Sequence, residues 1–269
     1  MKVLILGASG YLGKVLFYRC STMGDIDVFG TYYTKSADGM HYVDILDEKH
    51  TRAVIETYDP DAIVWCLYGK CNEMEIENKG LRSILSYIKP SVRLIYISTA
   101  LSQRESQDEE TPPEQRSKSM YLADYVNGKI LGEELARKHI NHVVIRPGQI
   151  FGFGANGEAD IRMRRLKNEV EKSGEMGRSA NSNISVIHVE DLADCIIELL
   201  HNEYLGILCV AAAKTVSYYE FYVFLAKSIG VSDGAIVPEY DQQISNYFNT
   251  AKATSLLETK IRNLDECLL

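Results

Sequence analysis

The sequence predicts an α/β protein. Residues 1–150 are read as a doubly wound parallel sheet, and residues 151–269 mainly as a small C-terminal lobe, with segments returning to the sheet. Two observations predict the sheet. Short apolar runs ended by turn residues alternate with helical segments, as in βαβ units. A glycine-rich turn also joins the first run directly to the first helix. The lobe is inferred from a third: beyond Pro147 the alternation loosens into shorter pieces.

The elements follow in order. Val3 to Leu6 is apolar, short and ended by Gly7, which reads as a strand buried on both faces. A helix is predicted from Tyr11 to Met23, a strand over Asp27 to Thr31, and a short strand over His41 to Asp44. Asp47 opens a helix that should end near Tyr58, before Asp59-Pro60. Asp61 to Leu67 is the fourth strand, Glu73 to Ile88 a helix, and Val92 to Ser98 the fifth strand. Gln103 to Ser119 is polar, carries Pro112-Pro113 and has little to bury; between a strand and a helix it reads as an active-site loop. Tyr121 to Lys138 is a long helix and His142 to Arg146 the sixth strand. In the lobe, helices are expected near Ala159–Ser173, Asp191–His201 and Tyr218–Ile229, strands near Ile184–His188 and Ile207–Ala211, and a last helix after Ala251.

Composition narrows the function classes. In 269 residues, hydrophobic types make up 46% and charged types 25%, an ordinary globular balance. The net charge of −8 argues against a nucleic-acid partner, which needs a dense Lys/Arg field. Cys20, Cys66, Cys71, Cys195, Cys209 and Cys267 are scattered, with no CxxC pair and no metal-ligand spacing, and read as free thiols with no metal. The first apolar run stops at Gly7, too short for a signal-peptide core, and no stretch approaches the roughly 20 apolar residues of a membrane span. The expectation is a cytoplasmic protein without a membrane partner, with a homodimer open.

The turn Gly7-Ala8-Ser9-Gly10-Tyr11-Leu12-Gly13 identifies the sheet as Rossmann-type. The first glycine permits the tight turn, the second lets backbone approach a pyrophosphate, and the third lets helix and strand pack closely. The helix N-terminus adds N–H groups and a dipole that favour an anion, so Gly7, Ser9, Gly10, Tyr11, Leu12 and Gly13 are candidate cofactor contacts. The end of the second strand discriminates NAD from NADP. It reads Gly30-Thr31-Tyr32-Tyr33-Thr34-Lys35, with hydroxyls and a lysine but no carboxylate. Tyr32, Thr34 and Lys35 therefore favour NADP(H), with NAD(H) possible. Lys35 as a solvated loop charge is the competing reading.

Tyr125-Val126-Asn127-Gly128-Lys129 carries the second signal. Residues four apart on a helix share a face, so Tyr125 and Lys129 can reach one ligand. An ammonium beside a phenol lowers the phenol's pKa and makes it a usable proton donor or acceptor.

Together these residues resemble the extended, nucleotide-sugar-modifying branch of the short-chain dehydrogenase/reductase superfamily, the NAD-dependent epimerase/dehydratase group. The resemblance implies an adenine contact at Asp44, with Ile45 beside it, in Val43-Asp44-Ile45-Leu46-Asp47. It implies Thr99 as the hydroxyl on the substrate carbonyl, with Ser98 in support, and Tyr125 and Lys129 as its catalytic partners, Lys129 also holding the nicotinamide ribose. Arg146 to Gly152 looks like the segment under the nicotinamide. Ile187 to Ala193 looks like a strand-to-helix junction of the lobe, in which His188 is structural. The Gly30-Thr31-Tyr32 strand end and the Thr250–Leu257 segment lean toward dTDP-4-dehydrorhamnose reductase-like proteins, which reduce a 4-keto-6-deoxy sugar on a nucleotide. The diphosphate of such a substrate needs a basic contact, and Arg162 and Arg165, with Arg164 between them, offer one. Two departures put the sugar in doubt. Ala100-Leu101-Ser102-Gln103 follows Thr99 where the rhamnose-type reductases carry Asp-Tyr-Val-Phe, and Cys66-Leu67-Tyr68-Gly69 replaces an Asn-Ala-Ala run. The expected function is NAD(P)H-dependent reduction of a nucleotide-linked keto-sugar. The alternatives are an epimerase or dehydratase on the same scaffold, the dehydratase disfavoured by the lack of a carboxylate after Thr99, and a cofactor-binding regulatory module without turnover.

Overall fold

The computed structural model describes residues 1–69, 72–100, 105–240 and 245–267. Cys71, and Leu101 to Gln103 after the candidate catalytic threonine, lie outside the described residues.

β1 (Lys2–Leu6), β2 (Asp27–Tyr32), β3 (Met40–Tyr42), β4 (Ala62–Trp65) and β5 (Arg93–Ile97) enter one seven-stranded sheet with strands His142–Pro147 and Gly206–Val210. The order is β3-β2-β1-β4-β5, then His142–Pro147, then Gly206–Val210 at the far edge. Every pairing from β3 across to His142–Pro147 is parallel. The order turns back at β1, flanked by β2 on one side and β4 on the other. In open α/β sheets a ligand crevice forms at the carboxyl ends of the strands where the order reverses. All four residues of β4 and all five of β5 are buried, as strands covered by helices on both faces require.

The first two helices start where their sequences predict. α1 (Tyr11–Ser21) follows the glycine turn, two residues shorter than expected at its end. α2 (Glu48–Tyr58) begins at Asp47, whose carboxylate accepts from the Lys49 amide, and ends at Asp59 in the left-handed region (φ 46°) before Pro60. The helix expected over Glu73 to Ile88 is not uniform. It consists of α3 (Glu73–Glu75), a π-helical turn over Ile76–Leu81 and α4 (Arg82–Tyr87). α5 (Ala123–Ala136) starts two residues later than predicted, after Leu122 at φ 57°, a strained conformation for a branched side chain.

α5 lies close against α3 and the π-helical turn because two of its residues have no side chain. A Cβ at Gly128 would stand 2.7 Å from Glu73 Cγ, and one at Gly132 only 1.9 Å from Tyr96 Oη. Beneath them Leu4, Leu6, Ile63, Trp65, Leu81, Ile84, Leu94 and Val144 form the core.

The chain divides into two units. The first comprises Met1–Leu101, Pro112–Arg146 and Ala193–Leu208; the second comprises Ser102–Thr111, Pro147–Leu192 and Cys209–Leu269. In the second unit the strand expected near Ile184–His188 is two strands. Asn183–Ile184 pairs antiparallel with Val216–Ser217, and Val186–His188 pairs parallel with Gln149–Phe151. Two further pairs carry no sequence signal strong enough to predict: Met176–Ser179 with Ile236–Glu239, and Ser106–Gln107 with Tyr247–Phe248. The last of these puts a strand into the polar stretch read as a loop. Helices Ile161–Ser173 and Tyr218–Ser228 cover a separate core of Phe151, Met163, Leu166, Phe221 and Leu225. Ser217 and Glu220 close a capping box at the start of the second helix. Among the described residues Cys20, Cys66, Cys195, Cys209 and Cys267 are free thiols, and no helix is long and apolar enough to cross a membrane.

Candidate active site

The glycine turn lies at the carboxyl end of β1. Gly7 adopts φ 86°, open to glycine alone without strain, and a Cβ there would press within 3.1 Å of the Cys66 carbonyl group after β4. Thr31 fastens the turn from β2: its hydroxyl accepts from the Gly7 amide (3.1 Å) and its carbonyl accepts from the Ser9 amide (3.3 Å). Gly13 packs so tightly that a Cβ would stand 2.3 Å from the Gly7 carbonyl oxygen. Gly10 differs. It is exposed, no side chain caps the helix end it begins, and among the described residues a Cβ there would meet within 4 Å only the Gly7 carbonyl oxygen, at 3.1 Å. The turn thus leaves space beside a helix N-terminus, whose dipole favours an anion. That arrangement fits a dinucleotide pyrophosphate.

The strand-end residues surround this turn loosely. Thr34 and Lys35 are exposed in the segment after β2. Tyr32, Tyr33 and Tyr42 form an aromatic cluster, with ring centroids 6.0 Å apart for Tyr32–Tyr42 and for Tyr33–Tyr42. Asp44 is half-buried and its carboxylate accepts from the Leu46 amide (2.9 Å), while Ile45 packs on Gly80 of the π-helical turn.

Thr99 follows β5, and its hydroxyl lies near enough to the Tyr125 phenol on α5 to favour the phenol's ionised form. The Tyr68 ring stands edge-on to Tyr125, with centroids 5.3 Å apart. Asn127 holds the preceding segment against α5, accepting from the Arg116 amide and donating to its carbonyl oxygen, each at 2.8 Å. Ser98 beside Thr99 is buried, and its hydroxyl has no hydrogen-bond partner among the described residues.

Lys129 is 2% exposed. Its ammonium donates to the Leu67 carbonyl oxygen (3.1 Å) and to Glu77 Oε1 (3.2 Å), and lies 2.7 Å from Glu73 Oε1. The Glu73 contact is ionic rather than directed, since Oε1 accepts no well-aligned hydrogen bond. The Nζ also stands 5.0 Å from the centroid of the Tyr96 ring. Three acceptors therefore crowd an ammonium that has three donors.

The electrostatic balance departs from the one the Tyr125–Lys129 spacing suggests. Burial raises the Tyr125 pKa; Lys129 and the Thr99 hydroxyl lower it, and Glu73 raises it again, so the net shift is upward. Lys129 itself is disfavoured as a cation by burial, yet Glu77 and Glu73 hold its pKa above the ordinary lysine value. Burial thus outweighs the expected lowering of the phenol's pKa, and the Glu73 carboxylate adds to that effect.

Glu73 and Glu77 escaped the sequence reading. The signal was present: Glu73, Glu77, Leu81 and Ile88 recur at nearly helical spacing along a face that also buries Ile84, so two carboxylates stand on an apolar stripe. Other expected residues are engaged elsewhere. Arg146 is turned into a buried ion pair with Glu133 (Nη2–Oε2 2.8 Å). In the second unit Arg162 pairs with Asp160 (2.7 Å) and donates to the Ile150 carbonyl oxygen, so much of its charge is spent locally, whereas Arg165 is exposed. His188 Nδ1 lies 3.0 Å from Arg262 Nη2, and Arg262 is in turn held by Asp191.

The family model for the NAD-dependent epimerase/dehydratase family matches residues 3–206. No curated protein matches the chain. A hypothetical dTDP-4-dehydrorhamnose reductase from Sulfolobus tokodaii superposes with a TM-score of 0.78 at 21% identity, covering 100% of both chains. A dTDP-4-dehydrorhamnose reductase from Bacillus anthracis, in complex with NADP, gives 0.76 at 20% identity over 98% of this chain and 95% of that one. The dTDP-glucose 4,6-dehydratase DesIV from Streptomyces venezuelae, with NAD bound, gives 0.73 at 15% identity over 98% and 92%. At these identities the superpositions establish the fold.

Proposed function

Because the chain belongs to the NAD-dependent epimerase/dehydratase family, we propose that it is an NAD(P)H-dependent reductase of a nucleotide-linked keto-sugar of the 4-keto-6-deoxy type. The observation that carries the reading is the grouping of Thr99, Tyr125 and Lys129, in which the Lys129 ammonium and the Thr99 hydroxyl both act on the Tyr125 phenol. The dinucleotide would be held by the Gly7–Gly13 turn and would supply the hydride. Thr99 donates a hydrogen bond to the substrate carbonyl oxygen and polarises it. Tyr125 delivers the proton to that oxygen as negative charge grows on it, and a raised pKa keeps the phenol protonated until then. Lys129 stabilises the phenolate left behind. Lys35 and Thr34 favour the 2′-phosphate of NADPH, and Arg165, with Arg162, offers a basic contact for the substrate diphosphate.

A panel of keto-sugar nucleotides assayed for NADPH and NADH consumption tests this reading. Tyr125→Phe should keep the fold and cofactor binding and slow single-turnover reduction by about 10²–10⁴-fold. A variant as fast as the wild type would remove Tyr125 from the mechanism. Cofactor binding without consumption across the panel would favour the regulatory module.

A further inference from the structure

A buried cluster stands behind the Tyr125–Lys129 pair. Glu77 gathers three donors on a single oxygen: Oε1 accepts from Trp65 Nε1 (3.2 Å), Tyr96 Oη (2.9 Å) and Lys129 Nζ (3.2 Å). Its other oxygen, Oε2, has no hydrogen-bond partner among the described residues, although the side chain is completely buried. Glu73, also fully buried, accepts at Oε2 from the Gly69 amide and faces the ammonium with Oε1. Two ionised carboxylates around one ammonium leave a net negative charge out of reach of water, which is costly. One proton on the pair removes it. The two acids are not equivalent as holders: a backbone N–H supports the ionised form of Glu73, whereas the unpartnered Oε2 of Glu77 has no donor to lose by taking up a hydrogen.

We propose that Glu77 is a positioning residue for the Tyr125–Lys129 pair: its carboxyl gains and loses a proton, and the charge it carries sets how much of the Lys129 ammonium is left to act on the Tyr125 phenol. The catalytic consequence rests on the function proposed above; the proton exchange does not. With Glu77 neutral, the ammonium answers to Glu73 alone and draws the phenol's pKa down. With Glu77 ionised, two carboxylates match the ammonium and the phenol keeps its proton more tightly. The groups facing Glu77 are Glu73 on its own segment, Lys129 on α5, Tyr96 on β5 and Trp65 at the end of β4, and Glu133 on α5 acts on Tyr96. Glu133 is neutralised by Arg146 (2.8 Å). Burial pushes Glu77 up; Lys129 draws it back and Glu73 pushes it up again, to about 7. The exchange therefore falls in the neutral range. Glu77 also belongs to the π-helical turn, a kind of insertion frequent at functional sites.

Trp65 is the chain's one tryptophan, and its indole N–H donates to Glu77, so the protein carries its own reporter. Trp65 emission in the intact wild-type protein should show one transition centred near pH 7. Glu77→Gln should abolish it. Glu73→Gln should move it down by roughly one pH unit or more, because a like charge beside Glu77 is gone. In spectra of protein labelled with ¹³C at tyrosine Cζ, Tyr125 is the signal lost in Tyr125→Phe. It should follow the same transition, and its own pKa should be lower in Glu77→Gln than in the wild type. A flat Trp65 emission, or a Tyr125 signal indifferent to Glu77→Gln, overturns the proposal. Should Glu77→Gln fail to fold, the wild-type titration and the Glu73→Gln shift decide the matter. If both titrations hold while no keto-sugar nucleotide is reduced, Glu77 keeps this role and the proposed reaction falls.

Discussion

Gly10, after β1, and Gly132, on α5, each stand where the chain omits a side chain, and the space is used in opposite ways. Around Gly10 it is unfilled by the described residues, among which a Cβ there would meet within 4 Å only the Gly7 carbonyl oxygen, at 3.1 Å. At Gly132 it is occupied by the protein itself, with Tyr96 Oη 1.9 Å and Glu77 Oε2 2.9 Å from the position a Cβ would take. The first gap fits something from outside the chain. The second lets two segments close on each other and dries the cluster in which Lys129 sits. A glycine therefore marks a close approach, and only its surroundings tell whether the neighbour is a ligand or another part of the same molecule.

The largest effect expected on the filled side comes from removing the ammonium. Lys129→Met leaves Glu73 and Glu77 buried without a counter-charge, a change that typically costs about 3–5 kcal/mol. Urea unfolding at pH 8 should show a loss of that size, and a smaller one at pH 5, where the orphaned carboxyls can take up protons. A loss below about 1 kcal/mol at both pH values would mean that water reaches the cluster, and the contrast with Gly10 would weaken.

Next comes the pH dependence of stability. The Glu77 pKa is raised in the folded protein from an ordinary 4.5 to about 7. A raised folded-state pKa stabilises fully below the unfolded value, and that stabilisation is lost as pH rises through the folded one. Stability should fall between pH 4.5 and 7 by an amount on the order of 3 kcal/mol from this group. Glu77→Gln should flatten that window in a series of unfolding curves. Gly132→Ala should follow at about 1–3 kcal/mol, the usual cost of overpacking, because Tyr96 is itself buried and has nowhere to move. Gly10→Val should act on the other kind of gap. Its stability should change by only about 0.5 kcal/mol, while calorimetry should find dinucleotide binding abolished. Unchanged affinity in the folded variant would empty the first half of the comparison.

The same contrast explains what could be read from the sequence. β1, β4 and β5 were legible because a strand buried on both faces is a continuous apolar run, and the Gly7–Gly13 turn because its position between strand and helix is local. Tyr125 and Lys129 were legible as a helical pair for the same reason. What was not legible depends on contacts distant in sequence. Trp65, Glu77, Tyr96 and Lys129 lie on four separate elements, and only their meeting makes Glu77 a buried acid, while burial against distant segments reverses the expected shift of Tyr125. The π-helical turn has no pattern distinct from that of an α-helix, so the segment reads as continuous. In the second unit, Met176–Ser179 and Ile236–Glu239 hold Gly177, Arg178, Pro238 and Glu239, too polar and irregular to announce a strand pair.

The smallest expected effect concerns Lys35, at the open edge of the unfilled side. Lys35 and Thr34 are exposed, so an ammonium meeting a 2′-phosphate there does so in water and under salt screening. Exposed ion pairs contribute about 0.2–1 kcal/mol, which corresponds to roughly fivefold in affinity at most. Lys35→Ala should weaken NADPH by about that factor at low salt and leave NADH unchanged, since NADH has no phosphate for the lysine to meet. Added salt should shrink the difference, because screening acts on the charge term alone. Titrations of both cofactors at two ionic strengths separate the outcomes. An equal change for NADPH and NADH would make Lys35 a surface charge with no part in choosing the cofactor. A NADPH-specific loss far beyond fivefold would mean that the segment folds over the bound ribose and shields the pair from water, turning part of the unfilled gap into a filled one.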